Sequence, residues 1–458
     1  MDQPLGGSHQ QMQQERRREQ ERMQTIDKVL NAGNLTQACY EVIRNKGAAG
    51  VDKMNVDELK DYLDKNRAEL TELIRNGGYI PQPIMGKEIP KSNGKMRLLG
   101  IPTVIDRMLQ QAVSRVIMPQ FEYMFSKYSF GFRPERNTLQ AVTTALNYIN
   151  SGYQHIVDID LKGFFDEVNH CLLMNLLYQK VKCPRTLQLI RRWLRVPILQ
   201  NGKLVKRRKG VPQGSPISPL LSNIILHELD REMEKRQLRF VRYADDFSIY
   251  CKTKQEAKRI GNSIYIFLRD KLKLPINREK SGIRRPLDFK ILGYGFVPTY
   301  RKGDKGKYQL VVQEKRWESF ITKLKEITRK TTPMSFDERI QKLKEVHRGW
   351  INNFRLASMH EKLKELDGWL RNRLRYCIWH HWKKSERKRK NLIKLGVKPE
   401  QAYAWSRSRM GGWAIAQSPI LGTTITIERL VKRGYEALTI WYLKVAHKYK
   451  SYPLFPIV

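Results

Sequence analysis

Residues 239–251 read RFVRYADDFSIYC, with two adjacent aspartates, Asp245 and Asp246, between the apolar pairs Phe240-Val241 and Phe247-Ile249. A second stretch, HIVDID (155–160), has the same design, with Ile156, Val157 and Ile159 leading into Asp160. Both are strand-like, and both place carboxylates at a strand end or strand turn. Carboxylates there are costly unless a cation compensates them.

Helical patterns at 168–195 and 217–236 separate the two stretches, and strands alternating with helices indicate an α/β or α+β fold. Residues 79–102, YIPQPIMGKEIPKSNGKMRLLGIP, hold four prolines and three glycines around SNG, which suits a strand-loop-strand unit with Lys91, Lys95 and Arg97 in or beside its loop. Upstream, the amphipathic pattern begins at Thr25, breaks at Gly47-Ala48-Ala49-Gly50 and resumes over 55–74. Residues 10–24, QQMQQERRREQERMQ, carry no apolar stripe and are set aside from the fold. After a Gly/Lys turn at 302–307, residues 314–391 read as long basic helices with Leu363, Leu366, Leu370 and Leu374 on one stripe, which predicts a separate helical domain.

The 458 residues favour two or three domains. The balance of 86 Lys+Arg against 45 Asp+Glu, a net charge of +41, calls for a polyanionic partner. No run of about 18 apolar residues suggests a membrane span, and the start, MDQPLGGSHQ, lacks the order of a signal peptide. Nucleic acid is therefore preferred to a membrane, and a cytoplasmic location is expected. The five cysteines form no CxxC pair and no zinc-ligand spacing, so neither a disulfide scaffold nor structural zinc is expected.

Hard divalent ions take oxygen ligands, and three aspartates from two strands are enough for a pair of them. Two such ions about 3.5–4 Å apart support an in-line displacement at phosphorus, the geometry of nucleotide polymerisation. An isolated Asp-Asp pair is more often a loop or cap, so the neighbouring motifs decide.

Five segments occur in order: VDIDLKGFFDEVNH (157–170), GVPQGSPISPLLSN (210–223), RYADDF (242–247), INREK (276–280) and LGYGF (292–296). Together they resemble the successive palm motifs of reverse transcriptases, and LRNRLRYCIWHHWKK (370–384) resembles the maturase domain of group II intron proteins. The resemblance spans residues 25–445. It implies an α+β right-hand polymerase, with fingers and palm over 25–300, an α-helical thumb/maturase domain over 301–395 and a basic nucleic-acid-binding segment over 396–458. Residues 1–24 remain a polar extension.

The same resemblance implies roles for individual residues. Asp160, Asp245 and Asp246 hold two Mg²⁺ ions, Mn²⁺ being the alternative, with the backbone carbonyl of Leu161 as a further ligand. Phe165 lies under the incoming sugar and selects dNTPs over NTPs, while Phe164 packs inward. Gln213 and Gly214 contact the nucleotide; Lys91 and Arg97 neutralise its triphosphate; Lys280 serves as a proton donor towards pyrophosphate. The expected partners are group II intron RNA, an RNA template with a DNA primer, target DNA and dNTPs.

Residues 301–458 hold 36 basic and 14 acidic residues, and eight of the nine tryptophans lie in 317–441. Lys383, Lys384, Arg387, Lys388, Arg389 and Lys390 are the expected RNA contacts, whereas Trp350, Trp369 and Trp441 fall on apolar faces and read as core. The C-terminal end lacks a Cys/His endonuclease cluster of the kind some relatives carry, so DNA cleavage is not expected. The expected function is an RNA-dependent DNA polymerase that binds, helps splice and copies its intron RNA. The alternatives are a domesticated enzyme of defence or DNA repair and a splicing-only maturase.

Overall fold

A computed structural model describes residues 25–450 apart from 91–93, 95 and 301–304, and for 447–450 the backbone alone. Two compact units emerge, one from residues up to Ala141 together with Gly152–Arg284, the other from Val142–Ser151 together with Arg285 onward.

In the first unit, strands β1 (Ile84–Pro90) and β2 (Met96–Ile101) form the antiparallel hairpin expected within 79–102. Strand β3 (His155–Ile159) follows later in the chain. Two short strands, β4 (Ile198–Gln200) and β5 (Lys203–Val205), extend the first hairpin into a sheet of order β2-β1-β4-β5. The sequence reading passed over them, because three-residue strands carry too little alternation to register.

The stretch 239–251 folds as a hairpin of two strands, β6 (Arg239–Tyr243) and β7 (Asp246–Cys251). With β3 and β8 (Gly282–Arg284) it makes an antiparallel sheet of order β6-β7-β3-β8. The helix Ser218–Lys235 buries residues on nearly every side, including Leu220, Leu221, Ile224, Ile225 and Leu229, so it lies inside the unit. The helix Val104–Glu122 is capped by Thr103, whose side chain accepts from Asp106 N–H. Asp106 is itself buried, and accepts hydrogen bonds from Tyr79 Oη (2.8 Å), Trp193 Nε1 (2.9 Å) and Thr103 Oγ1 (2.9 Å). These bonds account for a carboxylate in an apolar core.

The second unit opens with a three-stranded antiparallel sheet of β9 (Lys290–Ile291), β10 (Tyr294–Pro298) and β11 (Tyr308–Val312), in the order β11-β10-β9. Helices follow, among them Glu314–Ile327, Phe336–Phe354 and His360–His381. Leu363, Leu366, Leu370 and Leu374 are all buried along the last of these, as the stripe predicted. An aromatic cluster joins the first two: Phe320 stacks on Trp350 at 4.2 Å and 5°, and Trp317 lies 4.7 Å from Trp350. Beyond residue 396 the chain continues as short helices ending in Leu438–Lys450. The start of that last helix is held by Asp367, which accepts from Leu438 N–H (2.8 Å) and Thr439 N–H (3.1 Å). A carboxylate at that end satisfies orphan N–H groups and meets the positive end of the helix dipole. No described helix is long and apolar enough to cross a membrane. The five cysteines are free, four of them buried.

Candidate active site

Strand register brings the three aspartates together. Ile159 of β3 pairs with Phe247 of β7, so one step further along the antiparallel ladder Asp160 stands opposite Asp246. Tyr243 pairs with Asp246 across the β6–β7 hairpin, which makes Ala244 and Asp245 its two-residue turn. Directly opposed like charges destabilise a sheet, and the cost is visible here. Burial pushes the Asp246 carboxyl up to about 6, helped by the charges of Asp245, Asp160 and Asp158 and resisted by Lys280. Asp245 is raised too, first by burial and then by Asp160, while its own backbone N–H, Arg97 and Arg242 pull it down.

Among the described residues no three His, Cys, Asp or Glu side chains converge as a finished metal cage. The donor set nonetheless fits a hard divalent cation, because the residues are all carboxylates crowded at one sheet end, and two of them, Asp245 and Asp246, are held at the expense of their own ionisation. Leu161 is buried and bridged to Ile276. The bridge is closed by Lys162 N–H to Pro275 O (2.9 Å) and Asn277 N–H to Asp160 O (2.7 Å), so the Leu161 carbonyl takes no part in it. Asp160 N–H donates to Ser281 Oγ at 3.0 Å, and Lys280 Nζ stands 3.6 Å from Asp160 Oδ2. The INREK segment and the residue after it thus brace the first aspartate.

A buried network braces the turn. Ala244 has φ +58, a left-handed conformation unusual for alanine. Its carbonyl accepts from Arg242 Nη1 at 3.0 Å. Arg242 and Asp230 have fully buried side chains and form a two-armed ion pair at 2.6 and 2.7 Å, and Arg242 also reaches Asn223 Oδ1 at 3.0 Å. Asn223 in turn donates to the Gly131 carbonyl at 2.9 Å. Gly131 is glycine for want of room: a Cβ there would meet Ala244 N at 2.2 Å.

The remaining predicted residues divide. Phe164 is buried and Phe165 half-buried, their rings meeting edge-on at 5.2 Å. The 210–214 loop docks beside them through Val211 N–H to Phe165 O (2.6 Å) and Gly210 N–H to Val168 O (2.7 Å). Its other side meets β2, where Gly100 N–H donates to Gln213 O at 2.8 Å and the Arg97 guanidinium bonds Gln213 Oε1. Gly214, at φ +107, approaches so closely that a Cβ would stand 2.5 Å from Gly100 O. Lys91 lies outside the described residues. In the second unit, Lys383, Lys384, Arg387 and Lys390 are exposed. Lys388 instead lies over the Trp379 ring at 4.5 Å, and Arg389 pairs with Glu386 at 2.5 Å.

The sequence reading missed Asp158, Arg284 and the Arg242–Asp230–Asn223 set. Asp158 sits two residues before Asp160 on the same strand face, and Arg284 Nε meets its Oδ2 at 2.7 Å. Period-two spacing in VDID was the available signal. For the buried network there was none, since its partners are distant in sequence.

The chain is similar to known proteins. Residues 89–296 match the model for reverse transcriptase (RNA-dependent DNA polymerase), and residues 317–396 match the group II intron maturase-specific domain. The chain is 32% identical over 323 residues to protein YkfC of Escherichia coli (strain K12), covering 61% of this chain and 85% of that protein. It is 31% identical over 310 residues to the group II intron-encoded protein LtrA of Lactococcus lactis subsp. cremoris, covering 53% of this chain and 51% of LtrA. It thus spans about half the length of LtrA. Among solved structures it is similar to a chain of a partial Cas6-RT-Cas1--Cas2 complex, at 26% identity and a TM-score of 0.36 over 54% of this chain and 43% of that one. The chain belongs to the reverse transcriptases of the group II intron maturase family. It carries an RNA-dependent DNA polymerase domain followed by a maturase-specific domain.

Proposed function

We propose that the chain extends a DNA primer on an RNA template with dNTPs, and that its RNA partner is a group II intron RNA, which it helps to splice and copies for insertion at a DNA target. The observation that supports this most is the opposition of Asp160 and Asp246 across one ladder, with Asp245 in the adjoining turn. A splicing-only protein has no need of that charge repulsion.

Divalent cations, Mg²⁺ in this reading, would be held by Asp160, Asp245, Asp246 and the Leu161 carbonyl, and would supply activation of the primer hydroxyl and charge neutralisation at the leaving pyrophosphate. Around them, the half-buried Phe165 presents a ring to the nucleotide sugar and excludes a 2′-hydroxyl. Gln213, tied to Arg97, holds the base-pair side of the nucleotide, and Gly214 lets backbone approach it. Arg97 and Lys91 meet the triphosphate, and Lys280, beside Asp160, donates a proton towards pyrophosphate. In the second half of the chain, a thumb/maturase region over 301–395 and a segment over 396–458 bind RNA. Lys383, Lys384, Arg387 and Lys390 are the free phosphate contacts, and Lys388 and Arg389 shape the surface beneath them.

The test is primer extension on an RNA template with Mg²⁺, using dNTPs and NTPs in parallel. The natural chain extends with dNTPs, Asp245→Ala does not, and Phe165→Ala admits NTPs. A natural chain that binds RNA but fails to extend would replace this reading with that of a splicing factor.

A further inference from the structure

The end of the β6-β7-β3-β8 sheet away from the aspartates carries a second cationic feature. Arg239 opens β6, Lys252 follows the last residue of β7, and Tyr153 lies two residues before β3. Five-residue strands at about 3.3 Å per residue separate this end from the carboxylates by roughly 15 Å. These residues line a cleft of about 610 Å³ together with Arg236, Arg259 and Tyr250.

The charge of this cleft is unbalanced. Arg236 is engaged, donating to Glu232 and to Ser263 Oγ at 2.7 Å, and forms a wall. Arg239, Lys252 and Arg259 are exposed, and among the described residues none has a carboxylate within ion-pair distance. The one carboxylate in the lining, Glu256, accepts the Lys252 backbone N–H at 2.9 Å. Tyr153 positions two of the free cations, with the Arg239 guanidinium 4.4 Å and the Lys252 ammonium 5.3 Å from its ring centre. Cations held over an aromatic ring give up little further freedom on binding an anion, and a concave wall in which four cationic side chains outnumber one carboxylate focuses a positive field.

We propose that this cleft is a phosphate-binding site for the backbone of a nucleic-acid strand, separate from the polymerase site at the opposite end of the same sheet. It rests on the polymerase reading only in taking the partner to be nucleic acid. Three unpaired cations in one concavity match successive phosphodiesters better than a single small anion.

The test uses the full chain with Arg239→Ala/Lys252→Ala, a charge-restoring Arg239→Lys/Lys252→Arg variant, and a control, Lys65→Ala/Lys271→Ala, that removes equal charge from exposed positions elsewhere. Affinity is measured against salt for two probes, a structured RNA without a primer end and a DNA duplex of equal length. The slope of log affinity on log salt should fall by about one for each cation removed, in the RNA arm, the DNA arm or both, and the restoring variant should recover it. Extension of a saturating primer–template should be unchanged, and extension by the natural chain in the same samples keeps this test distinct from that of the polymerase reading. An unchanged slope in both arms overturns the proposal, as does an equal fall in the control. Loss of extension at normal melting temperature would show that the cleft is not separate from the polymerase site. Binding to anionic lipid vesicles in place of both nucleic acids would assign it to another partner.

Discussion

Replacing Arg242 by methionine tests how the aspartate turn is held. The guanidinium is fully buried, pairs in two-armed fashion with an equally buried Asp230, and bonds the Ala244 carbonyl and Asn223 Oδ1. Methionine leaves the Asp230 charge alone in the core, which costs about 3–5 kcal/mol. At about 2–4 °C per kcal/mol for a unit of this size, the melting temperature should fall by on the order of 10 °C. A companion variant, Arg242→Met/Asp230→Leu, removes both charges and should regain most of that stability, since apolar replacement of a buried pair is often neutral or better. It does not restore the bond to Ala244, so primer extension should stay impaired even when the protein is stable. Calorimetry and single-nucleotide extension on the same preparations separate the two effects. The reasoning is refuted if Arg242→Met costs less than about 1 kcal/mol, below the range for a broken buried pair. It is equally refuted if the double variant extends primers like the natural chain.

Three further outcomes follow from particular contacts. Gly131→Ala should destabilise the first unit and slow extension, because its Cβ has only the backbone of Tyr243 and Ala244 to displace; Gly349→Ala, in a helix with nothing within 4 Å, should stabilise by roughly 0.5–1 kcal/mol, and thermal melts compare them. Glu436 is held down to about 2, first by its hydrogen bond from Arg348 and then by that from His347. Its folded value lies below the unfolded one of about 4.3, so its contribution is present above that pH and is lost as pH falls towards 2; acid titration of the melting temperature should show this decline, and Glu436→Gln should flatten it. Trp350→Ala should lower stability by opening the cluster with Phe320 and Trp317 while leaving RNA affinity unchanged well below the melting temperature; a loss of about 1–3 kcal/mol of binding would instead mark a stacked base.

The leucine stripe at Leu363, Leu366, Leu370 and Leu374 was legible because helical periodicity is local, and burial follows from it. The 239–251 stretch was legible as strand with its carboxylates at a strand end or turn, but the position of the two-residue turn at Ala244-Asp245 was not, since it sets Ala244 at φ +58, a conformation unusual for alanine. The basic run at 383–390 looked uniform in one dimension. Helical geometry then turned Lys388 onto Trp379 and gave Arg389 a partner, which spacing alone does not distinguish.

The sequence by itself determined the chemistry: which carboxylates end apolar strands, and which ordered motifs mark a template-copying enzyme. Only the tertiary structure decided that Asp160 opposes Asp246, that Arg242 and Asp230 neutralise each other beneath the turn, and that Arg239 and Lys252 share one ring. Local patterns are fixed by propensity and period within a few residues. Pairings of this kind depend on strand register and on contacts between segments far apart in the chain, which no local pattern encodes.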